Sequence, residues 1–533
     1  MNFTEGTRRG LWPAVAAILF VMLILTRYCD STLSRRELQI KAGKWDKLML
    51  ILGEIDRNYV DSVDYAGITE EAIPLLLERL DPHSLYLPPQ ELKSAEEELQ
   101  GNFDGIGIQF NVPNDTAIVI QVIPGGPSER AGVLSGDRIV EVDGRRVAGV
   151  KLDQDSLVSM LRGRSGSTVN VGFKRGSSNN LLKIDIKRDK IPVKSVDVSY
   201  MVDDTLAYLK LSKFTRTSHK EVSESLEKLK SDGMKCLIID LRGNTGGYLD
   251  QALMLSNEFL DRGSLIVYME GLHRKREDYF ADGRGRYRDI CLKILIDEGS
   301  ASSSEILAGA IQDNDRGEII GRRSFGKGLV QEPIYFSDKS GLRLTVARFY
   351  TPSGRSIQKP YSKDYRNDIM ERYRHGELTS ADSIKQNDTL KYKTPKGKIV
   401  YGGGGITPDL FVPLDTTGIT NFLIKSNERG LVFRLSSELA DIYRSQLRNI
   451  NNLQDLNKFL NSIDIERKFL EYAASRNLVP TKEEWALSGK IIVTQLKALL
   501  GRYSPLDDNA YYPIISDIDN VIQVASGRGL TVQ

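Results

Sequence analysis

Two stretches of the 533-residue chain share one pattern, in which an apolar run is followed by a loop of small residues and then by helical periodicity. CLIIDLRGNTGG leads into YLDQALMLSNEFL, and CLKILIDEGSASSS leads into EILAGAIQ. A strand that is apolar throughout needs cover on both faces, and strands alternating with helices build a mostly parallel sheet. Ligands of such sheets bind beyond the carboxyl ends of the strands, so both small-residue loops are expected at one edge. This rhythm runs from about Ile191 to Pro413.

Other parts of the chain have other periods. Residues 37–100 are mainly helical, with apolar residues at helical spacing in DKLMLILGEIDRNYV and EEAIPLLLERL, followed by the proline-punctuated turn LDPHSLYLPP. Residues 101–190 change to short apolar strands separated by Gly-Pro, Gly-Asp and Asp-Gly turns. Gln358 to Ile399 is polar and is expected to be a long insertion, and residues 416–533 are helical and highly charged. The expected architecture is α/β and multidomain. An N-terminal segment (1–36) and a helical region (37–100) lead to a β-rich module (101–190), a strand-loop-helix core (191–415, with the insertion 358–399) and a helical C-terminal region (416–533).

Composition excludes some classes of function. With 73 Lys+Arg against 71 Asp+Glu the net charge is +2, so no nucleic-acid partner is indicated. Arg8 and Arg9 precede an unbroken apolar run from Leu11 to Leu25. That run is short for a span, which takes roughly 17 to 25 residues, and no small-x-small cleavage site follows it. An uncleaved signal anchor is expected. Thr26-Arg27-Tyr28 lacks the small residues that precede a lipidated cysteine, so Cys29 is not assigned that role. Cys236 and Cys291 lie in apolar runs and are expected to be core residues, with no disulfide framework implied. No CxxC or HExxH spacing supports a metal site, and no cofactor is implied.

In GSASSSEILAGAIQD, Ser302 stands between a strand and a helix. Ser302-x-x-Glu305 has the form of a capping box, in which a serine side chain satisfies an orphan amide. A nucleophile at the same place would sit beside free amides that stabilise an oxyanion. Local sequence does not separate the two. Of the histidines, His83 lies in the proline turn, His219 opens an amphipathic helix, and His273 and His375 lie in charged segments, so none is an evident base. Lysine serves when neutral, which requires lowering its pKa from about 10.4 to about 7 to 8, on the order of 3 to 5 kcal/mol usually supplied by burial. Lys327, between two glycines in SFGKGLVQEP with no acid within four residues, suits that role and equally suits an ordinary loop lysine. Gln331 offers a neutral hydrogen-bond partner. In a regular strand residues 327 and 331 would be about 13 Å apart, so their contact requires a bend.

FDGIGIQF followed by VIPGGPSERAGVLSGDRIVEVDGRRV resembles a PDZ domain. In that resemblance the amides of Ile106, Gly107 and Ile108 hold a peptide's C-terminal carboxylate, and the peptide adds a strand to the sheet edge. Over roughly residues 40–415 the chain resembles the C-terminal processing peptidases, or tail-specific proteases. LDPHSLYL, the PDZ module, LRGRSG, LIIDLRGNTGGYLDQA, GSASSSEILAGAIQD, GRRSFGKGLVQ, ARFYTPSGRSI and GGITPD occur in family order. The resemblance implies a Ser/Lys dyad of Ser302 and Lys327, with Gln331 orienting the lysine and the amides of Gly246 and Ser303 forming the oxyanion hole. The family usually has alanine at position 303, so Ser303 and Ser304 stand as alternative nucleophiles. GNTGG at 243–247 looks like the GNSGG loop of trypsin-like proteases, but Thr245 replaces the serine and the strand-loop-helix setting differs from a β-barrel.

The resemblance further implies a serine endopeptidase acting through an acyl-enzyme on polypeptides with accessible C-termini. Arg162 of LRGRSG would be a sensor gating access. The expected setting is the periplasmic side of a bacterial-type cell envelope, anchored to the inner membrane by the N-terminal segment, with a homo-oligomer compatible. The competing expectation is a catalytically silent PDZ scaffold that holds envelope proteins at the membrane.

Overall fold

The computed structural model describes residues 46–112, 115–176, 180–361 and 365–528. The expected N-terminal anchor lies outside the described residues. Among them, no helix is long and apolar enough to cross a membrane.

The described residues divide into two compact units, one ending at Arg79 and the other beginning at Leu80. The first contributes helices α1 (Asp46–Asn58) and α2 (Tyr65–Leu77), the latter opened by Asp64, whose carboxylate accepts from Gly67 N. Such an Asp cap contributes about 1 kcal/mol.

The second unit begins with β1 (Leu85–Leu87) and α3 (Pro89–Gln100), which ends in a left-handed Gly101. Strands β2 (Asn102–Gly105), β3 (Ile108–Asn111), β4 (Ala117–Val122) and β5 (Arg138–Val142) follow, then α4 (Gln154–Leu161). Next come β6 (Thr168–Lys174), β7 (Leu181–Lys187) and β8 (Asp189–Pro192). A sheet in the order β3-β4-β5-β6-β7 closes over Val119, Ile139, Val171 and Phe173, with Leu157 and Leu161 of α4 in the same core. The antiparallel pair β2 and β8 ties the entry of this module to its exit. Strand β3 is left as an edge.

The second layer system is the parallel one. Strands β9 (Val196–Met201), β10 (Leu206–Leu211) and β11 (Cys236–Asp240) are joined through helix α5 (Ser218–Ser231). After α6 (Leu249–Asn257) come β12 (Leu265–Gly271) and β13 (Arg274–Phe280), then β14 (Cys291–Ile296), α7 (Ser303–Asp313) and β15 (Glu318–Gly321). Strands β16 (Leu329–Tyr335), β17 (Gly341–Tyr350) and β18 (Leu410–Phe411) complete the set. The order β9-β10-β11-β14-β15-β18 is parallel except for β9 against β10. A second, antiparallel sheet runs β1-β17-β12-β13, with β16 also on β17.

A parallel sheet needs both faces covered. Leu237, Ile239 and Ile294 meet α5, α6 and α7 on one side, through residues such as Leu226, Leu255 and Leu307. The alternate residues Ile238, Leu295 and Ile320 face the other side, where the C-terminal region supplies Val521, Ile522 and Ala525 from α8 (Asn520–Ala525). The charged helical tail is therefore the second cover of the sheet. Between Asn421 and Arg502 its helices build a core of their own around Leu435, Leu456, Phe469, Ile492 and Leu496. This region also grips the PDZ module: Arg138 pairs with Asp441 at 3.0 Å and Arg444 donates to the Ser135 carbonyl at 2.8 Å.

One expectation is corrected here. Cys236 and Cys291 occupy strands as expected, but they are in-register neighbours on β11 and β14 and form a disulfide. Both stand at the first residue of their strand, where Cys291 is exposed, so they lie at the rim of the core.

Candidate active site

Both small-residue loops end at one edge of the parallel sheet, and hydrogen bonds stitch them together. Ser300 Oγ donates to the Leu241 carbonyl at 2.9 Å, Gly243 N to Asp297 Oδ1 at 2.8 Å, and Ala301 N to the Asn244 carbonyl at 3.0 Å. The approach leaves no room for a side chain at Gly246, where an added Cβ would stand 2.8 Å from Ser302 Cβ and 2.9 Å from Ser303 N.

Ser302 is the N-cap of α7 with φ +57° and ψ −114°, a conformation a residue with a side chain rarely adopts. Such strain costs on the order of 1 to 3 kcal/mol and persists only where surroundings impose it. Here Glu305 Oε2 accepts from Ser302 N at 2.9 Å and Ile306 N binds the Ser302 carbonyl. Ser302 and Glu305 thus form the capping box that their spacing announces, with Glu305 Oε2 on the Ser302 amide. Ser303 Oγ donates to the Gly247 carbonyl at 2.9 Å and Ser304 Oγ to the Asn244 carbonyl at 2.8 Å, and both side chains are buried. Of the three consecutive serines, Ser302 alone is not fully buried.

The lysine arrives through the same glutamate. Glu305 is fully buried and its carboxylate takes Ser302 N and Lys327 N on Oε2, each at 2.9 Å, and Ser324 Oγ and Gly326 N on Oε1 at 2.5 and 2.7 Å. Two amides that share one acceptor at those distances lie within about 6 Å of each other. Burial pushes the Glu305 carboxyl above its ordinary value, against the four hydrogen bonds that favour the charge. The Lys327 side chain turns away from this carboxylate and donates to Gln331 Oε1 at 2.9 Å. The bend this needs is present: Lys327 precedes β16, and the β16/β17 register shifts between Val330 and Gln331. Burial, and next the Arg343 charge, lower the Lys327 pKa; Glu305 and Asp81 act in the opposite direction.

Gln331 is held in turn by the LDPHS turn, its Nε2 donating to the His83 carbonyl. Asp81 builds that turn by accepting from His83 N, Ser84 N and Ser84 Oγ at 2.7 to 2.8 Å. His83 itself, half-buried and facing Lys327, is pushed down to about 4, burial being the main cause.

The structure therefore gathers Ser302, Ser303, Gly246, Lys327 and Gln331 in one place. Ser303 N lies at the first position of α7, where helical amides are free of intrahelical partners. Gly246 N instead donates to Asn244 Oδ1 at 2.9 Å. Ile106, Gly107 and Ile108 lie apart, in the PDZ module where β2 passes into the edge strand β3, Gly107 with φ +75°. Arg162 closes α4, its guanidinium 3.4 Å from Glu97 of α3 and 4.6 Å from the Phe103 ring centroid, outside the Ser302 and Lys327 cluster. Thr245 is a loop residue between these elements. Among the described residues, no group of three or more His, Cys, Asp or Glu side chains could hold a metal ion. Glu305 and His83 are the site residues that sequence reasoning underrated; the first was visible as a cap partner and the second as part of a turn.

A PDZ module joined to a strand-loop-helix core with a serine at a strained helix start defines a PDZ-containing serine-type peptidase. Residues 105–186 match the PDZ domain model and residues 205–366 match Peptidase family S41. The chain is 32% identical over 331 residues to the carboxy-terminal processing protease CtpA of Bacillus subtilis, covering 62% of this chain and 70% of the relative. It is 38% identical over 315 residues to the carboxy-terminal-processing protease of Bartonella bacilliformis, covering 58% and 71%. Among solved structures, the photosystem II D1 C-terminal processing protease is 26% identical, covers 70% of this chain and 87% of its own, and superposes with a TM-score of 0.38. This protein belongs to the carboxy-terminal processing proteases of Peptidase family S41. The resemblance drawn from the ordered motifs is borne out.

Proposed function

We propose that the protein is an endopeptidase that cleaves near the C-termini of exported or envelope proteins, with Ser302 as nucleophile and Lys327 as general base. The observation that carries this reading is the Glu305 carboxylate, which binds the backbone of both residues while the Ser302 hydroxyl and the Lys327 amine remain outside its grasp.

Neutral Lys327 takes the proton as Ser302 Oγ attacks a peptide carbonyl, and returns it to the departing amine. Water then hydrolyses the acyl-enzyme with the same lysine as base. Ser303 N faces the developing oxyanion; Gly246 N joins it once its bond to Asn244 Oδ1 is exchanged. Gln331 keeps a neutral oxygen on the amine, where a carboxylate would favour the charged form. The substrate tail docks through its terminal carboxylate on the amides of Ile106, Gly107 and Ile108 and pairs with the open edge of β3. Arg162, between the PDZ helix and α3, is suited to sense docking.

An envelope location is supported by the apolar run from Leu11 to Leu25 and by the Cys236–Cys291 disulfide, a feature of oxidising compartments. The test is cleavage of an unstructured reporter protein by the full chain, with and without Ser302→Ala and Lys327→Ala. Loss of roughly 1,000-fold or more is expected for each; undiminished cleavage by either would overturn the assignment. A native chain that binds the reporter without cutting it would mark a scaffold instead.

A further inference from the structure

We infer that Tyr365 and Gln358, contributed by the polar insertion, are positioning residues for the base, closing with His83 a ring of hydrogen bonds that returns to the Lys327–Gly328 peptide. The inference rests on Lys327 acting as base.

The ring starts at Lys327 Nζ, which donates to Gln331 Oε1 at 2.9 Å, and Gln331 Nε2 donates to the His83 carbonyl. His83 Nε2 lies 2.6 Å from Tyr365 Oη, Gln358 Nε2 donates to that oxygen at 3.3 Å, and Gln358 Oε1 accepts from Gly328 N at 2.9 Å. Donor chemistry fixes the orientation of both glutamines. A backbone N–H only donates, so Gln358 must turn Oε1 to Gly328 and Nε2 to Tyr365. The Tyr365 oxygen accepts from Gln358 Nε2 and is hydrogen-bonded to His83 Nε2, the phenol donating when the imidazole carries its proton on Nδ1. A carbonyl only accepts, so Gln331 shows Nε2 to His83 and its oxygen to Lys327. The outcome at the amine is a fixed neutral acceptor.

The insertion is well anchored where this is needed. The His83, Phe325 and Tyr365 rings meet edge to face at 5.4 to 6.4 Å. Lys359 Nζ sits 3.9 Å from the Phe325 centroid and is held by Asp368 at 3.0 Å. Arg372 donates to the Arg323 and Ser324 carbonyls at 2.6 and 3.1 Å, and Lys359 N to the Gly326 carbonyl at 3.0 Å. The charged or titratable groups facing Lys327 are Arg343 of β17, Glu305 of α7, and Asp81 and His83 of the turn.

Tyr365→Phe removes the phenolic oxygen and keeps the ring. In the full chain acting on an unstructured reporter peptide, kcat is expected to fall roughly three- to tenfold with KM retained. The acid limb of kcat against pH should move to higher pH, because a loosened Gln331 lets water reach Lys327 and favours its charged form. An unmoved limb, whether or not kcat falls, overturns the inference. Lys327→Ala is assayed alongside: if it still cleaves, the base assignment itself fails, whereas an inactive Lys327→Ala with an unmoved Tyr365→Phe limb removes only the ring. Should Tyr365→Phe lose its cooperative thermal transition, Gln358→Ala opens the ring at its other arm and is judged by the same limb.

Discussion

Asp240 and Glu305 are both fully buried carboxylates near the carboxyl edge of the parallel sheet, and their surroundings are opposite. Asp240 accepts from Arg242 Nη2 at 2.6 Å and from Tyr208 Oη at 2.7 Å, with Lys210 at 3.4 Å, and Arg242 reaches on to Asp519 ahead of α8 at 2.9 Å. Burial opposes its charge, but Arg242 and Lys210 hold it well below the usual carboxylate range. Glu305 is bound by backbone amides and one hydroxyl, and burial raises its pKa. The nearby lysine gives it a backbone N–H and keeps the amine for Gln331. A carboxylate matched by cations fastens one segment to another. A carboxylate matched by neutral donors organises a site while leaving a lysine free of a tight ion pair, the condition for a base.

The charged half of this contrast should carry the larger energy. Arg242→Ala leaves Asp240 with Lys210 and frees Asp519, and is expected to cost about 3 to 5 kcal/mol in urea unfolding. The pH dependence follows from the sign of the shift. A depressed carboxyl contributes stability that is present above the ordinary carboxylate pKa and is lost as pH falls through its lowered value. The variant should therefore show less of that acid-side decline. A cost under about 1 kcal/mol would mean that the cluster does not hold the tail to the sheet.

Gln331→Glu converts the neutral half into a copy of the charged one. A carboxylate against Lys327 is expected to raise the lysine pKa by roughly 1 to 3 units, each unit being about tenfold in the neutral fraction. Cleavage near neutral pH should fall by about 10- to 1,000-fold and recover as pH is raised, because the charged lysine must first lose its proton. Unchanged cleavage near neutral pH would break the contrast.

Much of this was legible in the chain. The apolar runs ending in Asp240 and Ile296 and the small-residue loops after them announced the parallel sheet and the edge where the two loops meet. What remained hidden depends on contacts distant in sequence. The capping-box spacing of Ser302 and Glu305 was visible, but not that the carboxylate also reaches Gly326 and Lys327 from a loop 21 and 22 residues on. The Lys327 to Gln331 contact needs a register shift that strand periodicity cannot announce. Cys236 and Cys291 meet only because parallel strands pair in that register. The polar composition of residues 358–399 concealed Arg372, buried against the Arg323 and Ser324 carbonyls ahead of Lys327.

Ser303→Ala should have the smallest effect. Its hydroxyl is buried on the Gly247 carbonyl, so removing it costs one neutral hydrogen bond, about 1 kcal/mol. The backbone N–H at the start of α7 is untouched, and cleavage is expected within about threefold of the native rate, since a methyl group fits the same space. A serine-directed covalent probe makes the comparison sharp. Labelling should survive Ser303→Ala and vanish in Ser302→Ala; the reverse would move the nucleophile one residue along the helix and detach it from the strained backbone that presents Ser302.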